Sequence, residues 1–292
     1  MKTKKAASKV LKVVVVGAHP DDCEFQAGGI ACLYRQGGHH VTFVSATNGD
    51  TGHQALKGRR LAQRRAQEAA QACARIGAAS VILPIHNNQL EADVKTRQRF
   101  IRLLRRLRPD VLITHRLYDY HPDHRRTGML IQDASYALRI PNVCPDVAPL
   151  QATPLILSME DAFERPLPFK ADVVVDIDPV LATKVEMLHC HSSQVYEWLP
   201  WMDRELPSVP RTQARRLSWL MERQQRRNGE TARRFRERVI EAYGPQHGAA
   251  VACAEAFEVS EYGARLTASN WLDYLPFLSR GLELGGEDVD VV

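Results

Sequence analysis

Two short stretches of this 292-residue chain concentrate the side chains that do chemistry: His19-Pro20-Asp21-Asp22-Cys23-Glu24 and His121-Pro122-Asp123-His124. His19, Asp22 and His124 together offer two imidazoles and one carboxylate. That set suits a divalent ion with one coordination position left for water, the pattern of a catalytic rather than a closed structural site. Zinc suits these donors, and so does ferrous iron. Such an ion lowers the pKa of its water toward ~7 and polarises a carbonyl held beside it. Adjacent carboxylates on an extended loop point in different directions, so Asp22 can hold the ion while Asp21 faces the water and takes its proton as general base. His121, on the opposite flank, stabilises an oxyanion or protonates a leaving group. Each motif alone has an ordinary reading, as a capping turn or a polar helix face. Their joint occurrence, each directly after an expected strand, is what points to a site.

The elements around the motifs explain how they could meet. Val13-Val14-Val15-Val16-Gly17 is a β-branched run bounded by glycine, which fits a strand covered on both faces. A helix over 25–36 closes at Gly37-Gly38, and a strand over 40–47 runs into the polar turn 48–52. The alanine- and arginine-rich segment 59–76 reads as a helix stopped by Gly77, followed by a short strand over 80–85. Apolar residues at helical spacing mark 94–107, which ends before Pro109, and 110–115 is a fourth strand. Pro122 suits the first turn of a helix reaching about 139, which puts His121 at its cap and His124 in its first turn. Strands over 154–159 and 172–177, a helix over 180–190, a long charged helical segment over 211–243 and a last strand within 252–259 complete the reading. Strands alternating with helices predict an α/β, Rossmann-like, doubly wound and mostly parallel sheet with helices on both faces. In such sheets ligands bind at the carboxyl ends of strands, where both motifs fall.

Composition narrows the classes. With 45% hydrophobic residues, the chain can bury one substantial core. It is read as one domain, with a catalytic core over 10–194, a helical elaboration over 195–250 acting as lid, interface or packed helix, and a last strand over 251–262. The net charge of +5 is mild, and its arginines lie mainly on expected helix surfaces with few interleaved aromatics, which argues against nucleic acid. Cys23, Cys32, Cys73, Cys144, Cys190 and Cys253 show no short paired spacing and read as reduced thiols of a cytoplasmic protein. The basic start is followed by a strand, not by the apolar core of a signal peptide. No apolar run approaches the ~18 residues of a membrane span.

The pairing of Ala18-His-Pro-Asp-Asp-Cys-Glu24 with His121-Pro-Asp-His124 resembles the LmbE/PIG-L-like family of metal-dependent N-acetylglucosaminyl deacetylases, which includes the deacetylases of bacillithiol and mycothiol biosynthesis. Further similar pieces are Thr47-Asn-Gly-Asp-Thr-Gly52, Arg65-x-x-Glu68 with Ile76-Gly77, Lys184 through Gln194, and Ala254-Glu-Ala-Phe257. The resemblance spans about 13–259. It implies His19, Asp22 and His124 as zinc ligands, Asp21 as general base, His121 as transition-state stabiliser, Asp123 as the residue tuning His121, and Arg65 as a contact to a substrate hydroxyl or phosphate. The alternative for Arg65 is a surface arginine pairing with Glu68. His191 lines the pocket or is a packed, hydrogen-bonded histidine. Asn87 stands about where relatives often carry an aspartate, so a sugar contact there would lose a charge. Relatives are often multimeric, which implies a homo-oligomer.

The expected activity is removal of an acetyl or other acyl group from an N-acetylated amino sugar or glucosaminyl conjugate. The rivals are an amidase for another conjugate, and a non-catalytic Rossmann-like binding module. The first strand runs into Gly-Ala-His-Pro-Asp-Asp and lacks the GxGxxG phosphate cradle, which weighs against the module.

Overall fold

The structure is a computed structural model that describes residues 9–278. The basic start, residues 1–8, lies outside the described residues. Among the described residues, seven strands form one sheet: β1 (Lys12–Gly17), β2 (His40–Ser45), β3 (Ala79–Ile82), β4 (Val111–Thr114), β5 (Leu155–Met159), β6 (Val173–Asp176) and β7 (Ala254–Val259), in the order β3-β2-β1-β4-β5-β7-β6. The β1–β2, β1–β4, β2–β3 and β4–β5 pairs are parallel. β7 inserts antiparallel between β5 and β6.

The helices are α1 (Asp22–Gln36), α2 (Gly58–Ile76), α3 (Val94–Leu107), α4 (Pro122–Ala137), α5 (Leu181–Cys190), α6 (Leu199–Met202), α7 (Gln213–Arg234), α8 (Arg236–Tyr243), α9 (Pro245–Ala250) and α10 (Trp271–Tyr274). Alternation along β1 builds both faces of the core. Val13 and Val15 join Ile30 and Tyr34 of α1, Ala72 of α2 and Val185 of α5. Val14 and Val16 join Phe100 and Leu104 of α3 and Leu130 and Ala134 of α4. Each of these valines is at most 1% exposed, and burying one contributes about 1.5–3 kcal/mol.

The segment expected as one helix over 211–243 breaks at Phe235, whose φ of −112° and ψ of 30° leave the helical region. Its ring meets Phe169 at 5.7 Å. There it borders a third apolar cluster in which Ala232, Val239 and Val251 cover Val174, Ala254 and Ala256. Helices α7 and α8 thus pack on the β6–β7 end of the sheet. All six cysteines are buried and none is in a disulfide. Among the described residues, no helix is long and apolar enough to cross a membrane.

Candidate metal centre and active site

β1 lies between β2 and β4, so the chain leaves it toward one side of the sheet and later returns on the other. A crevice opens at the carboxyl ends of strands where the order reverses in this way. The first motif follows β1 and the second follows β4. Gly17 makes the turn after β1 possible, because a Cβ there would lie 2.7 Å from the Cβ of Asp22. Helix α1 begins at Asp22, three residues earlier than expected, and its carboxylate folds back so that the backbone N–H groups of Ala18 and His19 donate to Oδ2 at 2.9 and 2.8 Å. At the second motif, Pro122 occupies the first turn of α4 and His121 is its N-cap, with Nδ1 accepting from the Asp123 N–H at 3.1 Å.

These turns bring together three atoms from distant parts of the chain. His19 Nδ1 lies 3.4 Å from Asp22 Oδ2, His124 Nε2 lies 3.5 Å from the same oxygen, and the two nitrogens are 3.3 Å apart. An ion ~2.0–2.1 Å from each donor in tetrahedral geometry needs donor separations of about 3.3–3.4 Å, so the triangle fits one. Burial opposes charge on His19, yet Asp22 and Asp123 overcome it and raise its pKa to about 9. Burial likewise opposes charge on Asp22, and His124 and His19 hold it well below the usual carboxylate range. A site that draws a proton this strongly also favours a cation.

Two further histidines approach the same point: His19, His121 and His124 form one close donor group, and Asp22, His115 and His124 another. His115 Nε2 accepts the Ala18 N–H at 3.1 Å, and its ring stacks on that of His124 at 4.2 Å. It buttresses the site with its nitrogen already engaged.

Asp21 stands at the head of α1 with φ of 153°, a conformation rare for a residue with a side chain and costing of order 1–3 kcal/mol. Its Oδ1 receives Arg65 Nη2 at 3.0 Å. Burial raises its pKa to about 6; Arg65 opposes the shift and Asp22 adds to it. His121 goes the other way: burial, then His19 and His124, push it down to about 4. Because its Nδ1 accepts the Asp123 N–H, a neutral His121 carries its proton on Nε2, where it can donate.

Several residues sit differently from the sequence reading. Asp123 does not hydrogen-bond His121 through its carboxylate: Oδ2 lies 3.2 Å from His19 Nε2 and accepts the Asn88 N–H at 2.7 Å. Arg65 is only 2% exposed and donates to Pro20 O and Asp21, so it braces the loop rather than facing a substrate. Its neighbour Arg64 makes the pair with Glu68, at 3.1 Å, and Glu68 itself is buried. Asn87 is buried, its Oδ1 accepting from Thr47 Oγ1 at 2.7 Å and from Gly49 N at 2.9 Å, which ties down the turn after β2. His191 is fully buried, with Nε2 3.0 Å from Glu24 Oε1 but poorly aligned for a hydrogen bond. Spacing does not reveal burial, which moves these residues from a binding surface to the scaffold behind it.

The reading missed Asp119, whose Oδ2 holds His124 Nδ1 at 3.0 Å. A carboxylate five residues before a candidate ligand, in the loop after β4, was its available signal.

Residues 14–135 match the sequence profile of the family described as PIG-L, GlcNAc-PI de-N-acetylase. That stretch holds both motifs, and over it the chain is similar to PIG-L/LmbE-family domains. It is 26% identical over 204 residues to the diacetylchitobiose deacetylase of Thermococcus kodakarensis, covering 66% of this chain and 74% of that one. It is also 26% identical over 193 residues to the 4-oxalmesaconate hydratase of Pseudomonas putida, covering 63% and 74%. Among solved structures, it resembles the N,N'-diacetylchitobiose deacetylase from Pyrococcus horikoshii with a TM-score of 0.66, at 22% identity over 86% of this chain and 85% of that one. The 4-carboxy-2-hydroxymuconate hydratase of Pseudomonas putida gives 0.65, at 22% identity over 88% and 98%. At these identities the two structures share the fold.

Proposed function

We propose that the protein is a metal-dependent hydrolase that removes an acetyl group from an N-acetylated amino sugar or glucosaminyl conjugate. The observation that carries the proposal is the buried, arginine-braced carboxylate of Asp21 directly beside the donor triangle of His19, Asp22 and His124. The family match and the deacetylase relatives support the substrate class.

His19, Asp22 and His124 would hold the ion, zinc by the chemistry of the donors, with ferrous iron fitting the same set. When bound, such an ion supplies Lewis-acid polarisation of a carbonyl and acidifies water. Asp21, with a pKa near 6, is mostly ionised at neutral pH and accepts the proton of the attacking water. It then returns that proton to the departing amine. His121 is neutral at that pH and donates from Nε2 to the developing oxyanion. Arg65 keeps Asp21 aimed, Asp119 and Asp123 orient His124 and His19, and Gly17 lets the first loop fold tightly.

The test is release of amine and acetate from N-acetylglucosamine and diacetylchitobiose by protein stripped of metal and reloaded with zinc. Metal-dependent release of both products is expected; an inert loaded protein would withdraw the amino-sugar reading. The hydratase relative supports a second reading, addition of water to an unsaturated carboxylate at the same centre. Hydration without acetate release would favour it.

A further inference from the structure

A cavity of about 660 Å³ opens against the metal centre, lined by Phe25 and Gln26 of α1, Asp119 and Tyr120 of the second loop, residues 160–163, and Arg227 to Arg234 along one face of α7. It touches the centre directly: Asp119 is the residue that holds His124, and the Tyr120 ring lies 5.9 Å from those of His121 and His124. The volume is far more than an acetyl group needs, so the rest of the substrate has room there.

The charges of this cavity do not cancel evenly. Glu160 accepts from Thr231 Oγ1 at 2.7 Å and meets Arg234 at 3.5 Å. Asp161 accepts from Arg116 Nη1 through both of its oxygens, at 3.0 and 3.1 Å. Asp119 is engaged by His124 and by the His121 N–H. Glu255 is buried and bonded to Lys184 at 2.8 Å and to the N–H groups of Gly29 and Ile30. Glu230 pairs with Arg233. Arg227 is different. The residue as a whole is exposed, and among the described residues it makes no hydrogen bond or ion pair; its guanidinium carbon lies 5.5 Å from the Phe25 ring. Desolvation of its charged end lowers its pKa, while Glu160, Glu255, Asp22 and Tyr120 favour the charge through space without an ion pair. In the neighbouring cavity of about 730 Å³, by contrast, Arg116 is fully committed to Asp161 and to the carbonyls of Leu167 and Pro168.

We infer that Arg227 is a specificity-determining residue that receives an oxyanion, carboxylate or phosphate, on the part of the substrate remote from the scissile amide. A guanidinium steadied by an aromatic face presents its fork of N–H donors to such a group, and charge-assisted pairs of this kind are the strong ones. The substrate class becomes an acidic N-acyl amino sugar or conjugate. This rests on the amide-hydrolase reading of the adjoining centre.

The experiment compares matched pairs on the zinc-loaded protein: N-acetylglucosamine against its 1-phosphate, its 6-phosphate and its 3-O-lactyl ether. Both kcat/KM and calorimetric affinity are measured for wild type, Arg227→Ala, Arg227→Lys and, as a control outside the cavity, Arg226→Ala. At least one anionic partner is expected to exceed the neutral sugar by about tenfold or more. Arg227→Ala should bring that ratio close to unity, Arg227→Lys should keep part of it, and Arg226→Ala should keep it whole. The preferred partner tells carboxylate from phosphate. Equal treatment of neutral and anionic ligands by wild type, in turnover and in binding, overturns the proposal, as does a preference that survives Arg227→Ala. Arg227-dependent anion binding without amide cleavage would uphold the anion site and count against the hydrolase reading alone.

Discussion

The Nδ1 of His19 and the Nε2 of His124 lie 3.3 Å apart although 105 positions separate the two residues. They meet because β1 and β4 are parallel neighbours, so the loops after both strands leave the same edge of the sheet. Repulsion between two protonated imidazoles at that distance makes a shared cation the natural way to satisfy both, with Asp22 closing the triangle.

Replacing either histidine by alanine should therefore reduce bound metal from stoichiometric to trace, read by elemental mass spectrometry of the purified protein. Chelation of wild type should abolish turnover, and zinc should restore it. Full metal occupancy in both variants would displace these residues as ligands.

Asp119 and Asp123 hold the far nitrogens of His124 and His19. Losing an orienting carboxylate typically weakens metal affinity about 10–100-fold. Asp119→Ala and Asp123→Ala should each show that loss in competition titrations with a chromophoric chelator. Unchanged affinity would mean that packing alone, including the His115 stack, sets the ring positions.

Asp21→Asn keeps the size of the side chain and removes the base. Turnover should fall by about 10²–10⁴-fold while bound metal stays constant. A variant that hydrolyses at the wild-type rate would transfer the proton-accepting role to another group.

Arg65 separates two roles cleanly. If it only aims Asp21, Arg65→Met lowers kcat and leaves KM nearly unchanged. A raised KM with intact kcat would restore the substrate contact that the family resemblance implied.

Lys184 and Glu255 form a pair whose side chains are 0% and 2% exposed, and Glu255 also caps the N–H groups of Gly29 and Ile30 inside α1. Breaking such a buried pair costs about 3–5 kcal/mol. Lys184→Met should show that loss in urea denaturation followed by circular dichroism; a change below about 1 kcal/mol would mean that Glu255 is satisfied without its cation.

The sequence by itself determined the strand-helix alternation and the identity of the residues at the centre. Four valines before a glycine can only be satisfied by cover on both faces, and a proline after His121 fixes where α4 starts; both are local facts of side-chain shape and backbone freedom. Motif chemistry was equally local, since the donor types and their place after a strand end are written in consecutive residues. The tertiary structure alone decided what faces what. It put β7 antiparallel between β5 and β6, set Asp123 on His19 instead of His121, and recruited Asp119 and His115. It also drew Arg65, Asn87 and His191 inward and left Arg227 of α7 facing the cleft. Burial and partner choice depend on which distant segments pack together, and one-dimensional spacing holds no record of those long-range contacts.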